Sequence, residues 1–361
     1  MPWTADVREA RLRHRVTILR TASAPVKEFL VHQQSLDRLR RGLAAVYPDA
    51  TSSGTTPVRT ASTQTASTAV SDRLKWHAHP YNRAAFYRLA AALGWLPRRA
   101  RLGLARRLGW LALRLLPVER SVVQKTLARV TGATSLRLDE LTLDVFGEFA
   151  MCFADLVSTN RGPAGGLVAH VGRVTGTEGL AGLAGGVISL TAHLGNWELA
   201  GRLLAQRAAR PTHVVVADEE ARELERWVRR NGDGVRFVPR SRQTVSVALL
   251  GALRRGEVVA LQGDRALGTR GDVPVPFFGD PAPFPVGPFV LARASGRPVV
   301  PAFCLLEPDL RYAVTILEPL TVRRGEEEEA LRVWVARLEE VVRRHPTQWF
   351  NFFDIWSPFG R

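Results

Sequence analysis

VISLTAHLGNWELAG, Val187 to Gly201, decides the fold. VISLTA (187–192) is a short apolar run rich in β-branched residues, the pattern of a buried strand. Helix-forming residues begin at about Trp197, and Gly195 and Asn196 between the two permit a tight turn. His193 then sits at the C-terminal end of a strand, with Glu198 in the first turn of the following helix. In open α/β sheets that edge is where ligands bind. The turn can fold Glu198 back towards His193. A carboxylate that accepts a hydrogen bond from one ring nitrogen sets the tautomer and supports the imidazolium. The other nitrogen is then free to act as a general base.

Four more runs of the same texture follow: THVVVA (212–217), EVVALQ (257–262), PVVPAF (298–303) and YAVTIL (312–317). Helical stretches separate most of them: Glu198–Arg210, Glu219–Arg230 and Thr244–Arg255. This alternation predicts an α/β fold, with a mainly parallel central sheet flanked by helices. LLEPDLR between the last two runs reads as a hairpin, hence one antiparallel element. Glu326–Arg344 reads as a charged closing helix, with Leu331, Val335, Leu338 and Val342 on one face. PVPFF and PAPFP read as rigid apolar loops.

Upstream, Ala84 to Val157 is an N-terminal helical segment. Its clearest stretch is RRARLGLARRLGWLALRLLP, Arg98 to Pro117. Leu104, Leu108, Leu111 and Leu115 share one helix face, while Arg99, Arg106, Arg107 and Arg114 cluster on another. Such a helix lies either in an anionic lipid interface or with its leucines packed in a core. Thr51 to Asp72 is almost all Ser, Thr, Ala and Gly, which cannot offset its ordering entropy by burial. The chain therefore divides into an appendage of unknown role (1–48), a flexible linker (49–75) and a catalytic unit (76–358). That unit comprises helices (84–157) and an α/β core (166–358).

The 361 residues include 50 basic and 34 acidic ones, a net charge of +16. Only Lys27, Lys75 and Lys125 are lysines, so the excess is arginine. Either a GC-rich genome or an anionic partner accounts for it. Cys152 and Cys304 are too few for a disulfide framework or a four-cysteine zinc site. No stretch has the length and apolarity of a membrane span, and the N-terminus lacks an apolar signal core. G-x-S-x-G, Walker A, H-E-x-x-H and C-x-x-C motifs are absent. No metal or cofactor is expected. A basic nucleic-acid-binding protein is the alternative from another class, but no nucleic-acid-binding module is recognisable and no nucleic acid is expected as a partner. An inactive membrane-associated scaffold of the same fold is a second alternative, opposed by the intact His193/Glu198 pair.

HLGNWE resembles the H-x4-(D/E) motif of glycerolipid acyltransferases, in the HxGNWE form of the lipid A biosynthesis (lauroyl/myristoyl-type) acyltransferase family. Gly263 to Phe303 is similar to that family's second block, with its Asp, its RG-x-x-VPFFG core, its Gly-Pro and its PVVPAF strand. HPTQWFNFFDIW, His345 to Trp356, resembles its closing P-x-QW segment. Many relatives carry Asp-x-Asp where this chain has Gln262-Gly263-Asp264. The ending WFNFFDIW is closer to relatives that acylate polar lipids other than lipid A, or secondary metabolites.

The resemblance implies transfer of a fatty acyl chain from a thioester, acyl-CoA or acyl carrier protein, to a hydroxyl or amine of a lipid or polar metabolite. His193 would be the base and Glu198 its partner. Backbone N–H groups around Gly195 would serve the oxyanion. Asp264 would bind an acceptor hydroxyl or pair with Arg270. Arg240, Arg242, Arg265 and Arg270 would meet phosphate groups. The expected setting is bacterial, peripheral, on the anionic cytoplasmic face of the inner membrane.

Overall fold

The computed structural model describes residues 84–159, 166–176, 183, 185–200, 210–216, 234–240, 244–268 and 271–356. The appendage (1–48), the linker (49–75), most of the expected 198–210 helix, the 219–230 helix, Arg242 and Arg270 lie outside these residues.

The described chain opens with α1 (Ala84–Ala92), α2 (Arg98–Leu115), α3 (Pro117–Thr131) and α4 (Ser135–Thr159). No described helix is long and apolar enough to cross a membrane. α2 packs along α4 through Leu102, Ala105, Gly109 and Leu113. A Cβ at Gly109 would stand 2.4 Å from the Phe146 carbonyl oxygen, so glycine lets the two backbones meet. The face that packs thus combines Leu102 and Leu113 with the small Ala105 and Gly109. Most of the leucine stripe turns outward: Leu104 is 38% exposed, Leu111 53% and Leu115 73%, while Leu108 is half-buried. This overturns the core-packed reading of that stripe.

Seven strands form one sheet in the order β1-β9-β8-β2-β5-β3-β4. They are β1 (Val171–Thr175), β2 (Val187–Thr191), β3 (Thr212–Val216), β4 (Val235–Pro239), β5 (Val258–Gln262), β8 (Val299–Leu306) and β9 (Tyr312–Ile316). β8, β2, β5, β3 and β4 run parallel. β9 is antiparallel to β8, as a hairpin requires, and β1 joins β9 in parallel. β2 and β8 are buried along their whole length, which explains their unbroken apolar texture. β1 and β4 carried no clear strand signal, because exposed residues interrupt each five-residue run.

The two proline-rich runs are not loops. They pair as an antiparallel ribbon, β6 (Asp272–Phe277) and β7 (Asp280–Pro285). Pro274 faces Pro283 and Pro276 faces Pro281. These positions need no cross-strand N–H, and proline there leaves the ribbon edges without donors for a third strand. Three further α-helices are described, α5 (Val245–Arg254), α6 (Gly287–Ser295) and α7 (Glu327–Arg344). α7 buries Leu331, Trp334, Val335, Leu338 and Val342.

Candidate active site

β2 and β5 are neighbours in register, with Thr191 opposite Gln262. Two residues further on, the same register brings His193 and Asp264 side by side at the C-terminal edge of the sheet. His193 Nδ1 lies 2.8 Å from Asp264 Oδ1, and the His193 amide donates to Asp264 Oδ2 at 3.0 Å. The Trp349 indole N–H also donates to Oδ2, at 3.1 Å. Both residues are buried.

Burial pushes the Asp264 carboxyl up. The charge of His193, the hydrogen bonds from its ring and amide, and the Arg265 guanidinium outweigh burial and hold the pKa at about 2. An ionised carboxylate only accepts, so Nδ1 carries the proton of the neutral ring and Nε2 keeps its lone pair. The Trp197 ring stands 5.2 Å from the imidazole, centroid to centroid.

The turn after β2 is held from two sides. Gly195 adopts φ +60°, and a Cβ there would sit 2.1 Å from the Cys304 carbonyl oxygen. Glycine therefore meets both a backbone and a space requirement. Leu194 N–H donates to Ala192 O at 2.7 Å, Gly195 N–H to Gln348 O at 2.9 Å and Asn196 N–H to Cys304 O at 2.8 Å. These amides are spent inside the fold, which overturns the expectation that they serve the oxyanion. Phe350 N–H closes the frame on His193 O at 2.8 Å. The Gln348 side chain locks the closing segment in place. Its Oε1 accepts from Leu306 N–H at 2.9 Å and its Nε2 donates to Leu306 O at 2.7 Å.

A family model for bacterial lipid A biosynthesis acyltransferases matches residues 77–357. The chain belongs to this family. Two relatives from separate strains of Mycobacterium tuberculosis, each named phosphatidylinositol mannoside acyltransferase, are 28% identical over 246 residues. That stretch covers 65% of this chain and 76% of theirs. The acyltransferase identity agrees with a histidine-centred site at His193, next to Asp264.

The remaining site residues of this acyltransferase fall at different distances from the pair. Glu198 is buried in the helical turn at 197–200, but the carboxylate on Nδ1 belongs to Asp264. Asp264 in turn is turned to His193 and Trp349, while Arg270, its other expected partner, lies outside the described residues. Arg265 is half-buried, reaches the Phe350 carbonyl oxygen at 3.4 Å and lies 5.1 Å from the Phe353 ring centroid. Arg240 is exposed at the end of edge strand β4. It is three strand positions from β2, roughly 14 Å at about 4.8 Å per strand. The motif reading missed the jobs of Gln348 and Trp349. Their signal was present in the QW of the closing block, but their partners are far away in sequence.

Proposed function

We propose that this acyltransferase moves a fatty acyl chain from acyl-CoA or acyl carrier protein to a hydroxyl of a polar lipid, at an anionic membrane surface. The observation that carries this reading is the buried His193–Asp264 pair, in which the carboxylate meets Nδ1 and so assigns the lone pair of the neutral ring to Nε2. His193 Nε2 accepts the acceptor's proton as its oxygen attacks the thioester carbonyl. Asp264 stabilises the imidazolium. The tetrahedral intermediate then expels the thiolate, the C–S bond breaks, and His193 returns the proton to sulfur. No covalent enzyme intermediate enters the scheme. Glu198 supports the turn beside the base, and Arg265, next to Asp264 in the chain, offers a cation for a phosphate.

The names of the mycobacterial relatives make a mannosylated phosphoinositide the first acceptor to try, and the non-basic ending WFNFFDIW agrees with an acceptor other than lipid A. The exposed Leu104, Leu111 and Leu115 beside exposed Arg107 and Arg114 support docking on lipid. Apolar side chains would enter the acyl boundary and guanidiniums would meet headgroup phosphates. The cytoplasmic face of the inner membrane, where thioester donors are made, is the proposed location.

The test is transfer from palmitoyl-CoA to phosphatidylinositol mannoside in vesicles, followed by thiol release and by mass of the lipid product. His193→Ala should lower kcat by about 10²–10⁴-fold with the fold retained. Asp264→Asn should lose nearly as much, and the double variant little more. A folded His193→Ala chain with full activity would sink the mechanism.

A further inference from the structure

Asn196 carries a link that proton transfer at His193 does not explain. Its Nδ2 donates to the Tyr312 hydroxyl at 3.2 Å, and that hydroxyl donates to Asp155 Oδ2 at 3.0 Å. Asp155 accepts only, which sets the order of donors along the chain. Asn196, Tyr312 and Asp155 are all buried, Tyr312 and Asp155 completely. Burial pushes the Tyr312 phenol well above its ordinary pKa, so the donor proton stays on it.

A buried carboxylate is costly unless it is paired, and Asp155 meets two guanidiniums from the first turn of α2. Arg98 approaches with Nη2 at 2.6 Å and Nε at 3.1 Å, and Arg101 with Nη2 at 3.2 Å. Arg98 also donates to the Leu310 carbonyl oxygen at 2.5 Å, just before β9. A single polar thread thus runs from α2 through α4 and β9 to the residue three positions after His193.

We propose that Asn196 and Tyr312 are positioning residues for acyl transfer. Their hydrogen bonds, anchored on Asp155 by Arg98 and Arg101, hold the turn after β2 in the register that presents His193 to its acceptor. The proposal rests on His193 being the base. Neither residue touches substrate. Both act through the turn, whose backbone is also tied to Ala192, Cys304, Asp264 and the closing segment by the hydrogen bonds given above. The thread also gives the N-terminal helices a reason to be part of the catalytic unit. Without Arg98 and Arg101 the buried Asp155 carboxylate would lose the two guanidiniums that offset its charge, and the acceptor that orients the tyrosine would be held less firmly.

The experiment uses the full chain with palmitoyl-CoA and phosphatidylinositol mannoside vesicles. Tyr312→Phe and Asn196→Ala should each lower kcat on the order of 10- to 100-fold, since small misplacements of a reacting group cost that much. The KM for palmitoyl-CoA should stay within about twofold. The double variant should be no worse than the poorer single one, because one thread is cut either way. Hydrogen exchange across 193–199 should quicken in both variants while the cooperative melt is kept. A folded Tyr312→Phe chain with wild-type kcat, a loss confined to KM, or losses that multiply in the double variant would each overturn the proposal. Should Tyr312→Phe fail to fold, Asn196→Ala decides by the same readings, because it leaves the Tyr312–Asp155 bond in place. If His193→Ala proves fully active, the base assignment falls. The exchange measurement then still judges the thread: unchanged protection across 193–199 removes it, and faster exchange sustains it.

Discussion

α2 and α7 are both 18-residue helices, rich in arginine, with aliphatic residues at helical spacing. On paper they are alike, yet they bury opposite kinds of face. α7 buries its large residues, Leu331, Trp334, Val335, Leu338 and Val342. α2 buries Ala105 and Gly109 with Leu102 and Leu113, and leaves Leu104, Leu111 and Leu115 exposed. Their charges differ as well. α7 starts with Glu327, Glu328 and Glu329 and ends with Arg343 and Arg344, in agreement with its dipole. Its arginines meet glutamates one turn away, Arg332 with Glu328, Arg343 with Glu339 and Arg344 with Glu340. α2 has no acid in its first turn. Arg98 and Arg101 oppose the dipole there and are balanced by Asp155 from α4. α7 is therefore a self-neutralised helix facing water. α2 presents apolar and positively charged side chains together, the surface that the proposed docking on lipid would use. The apolar stripe of a sequence names a face, and the partner of that face is chosen by what else packs nearby.

The largest effect should come from α7. Leu338→Ala removes a fully buried side chain and should cost about 2–5 kcal/mol, read from denaturant unfolding. Leu111→Ala on α2 should stay within about 0.5 kcal/mol. Equal losses at the two sites would erase the contrast.

Membrane binding should reverse the ranking. Replacing Arg99, Arg107 and Arg114 by Gln should weaken sedimentation with phosphatidylserine vesicles by about 1 kcal/mol per arginine. Salt should do likewise in the wild type, while Arg332→Gln on α7 should change nothing. Binding that ignores both lipid charge and salt would leave α2 as an ordinary solvent helix.

A smaller effect separates the seats of the two helices. Glu148 of α4 lies near Arg106 of α2 and accepts from the Thr347 hydroxyl at 3.0 Å. Burial first, with Asp144 adding to it, raises its pKa to about 7 against the lowering by Thr347 and Arg106. A raised carboxyl favours the folded state fully below its unfolded pKa of about 4.5 and loses that advantage as pH climbs through 7. Thermal stability should therefore fall by on the order of 1–2 kcal/mol between about pH 4.5 and 7. Glu148→Gln should flatten that slope, which a melting series at stepped pH would reveal.

The smallest effect is on the exposed face of α7. Glu340→Gln breaks an exposed pair with Arg344 and should cost no more than about 0.5 kcal/mol in low salt, and less in high salt.

Much of the site was legible because its signals are local. VISLTA followed by HLGNW places His193 at a strand end, since strand texture, a glycine turn and helix onset are all short-range properties. The same holds for the β8–β9 hairpin and for the buried face of α7. Asp264 was legible as a residue on the same sheet edge, but not as the partner of His193. Strand order is set by which crossovers pack, and a run of β-branched residues does not say which run lies beside it. The proline-rich ribbon was misread for a similar reason. Proline argues against a strand until a partner strand puts it where no N–H is needed.

Local chemistry in the chain thus determined the α/β alternation, the family, and the place of His193 at a strand end with the turn that follows it. Tertiary structure alone decided that β2 lies beside β5, and hence that Asp264 rather than Glu198 meets Nδ1. It also brought Trp349 onto that carboxylate, tied Asn196 to Asp155 through Tyr312, and turned Leu104, Leu111 and Leu115 of α2 outward. The reason is physical. Hydrogen bonds and burial between residues 71 to 157 positions apart depend on how whole layers pack, and no local propensity encodes that packing.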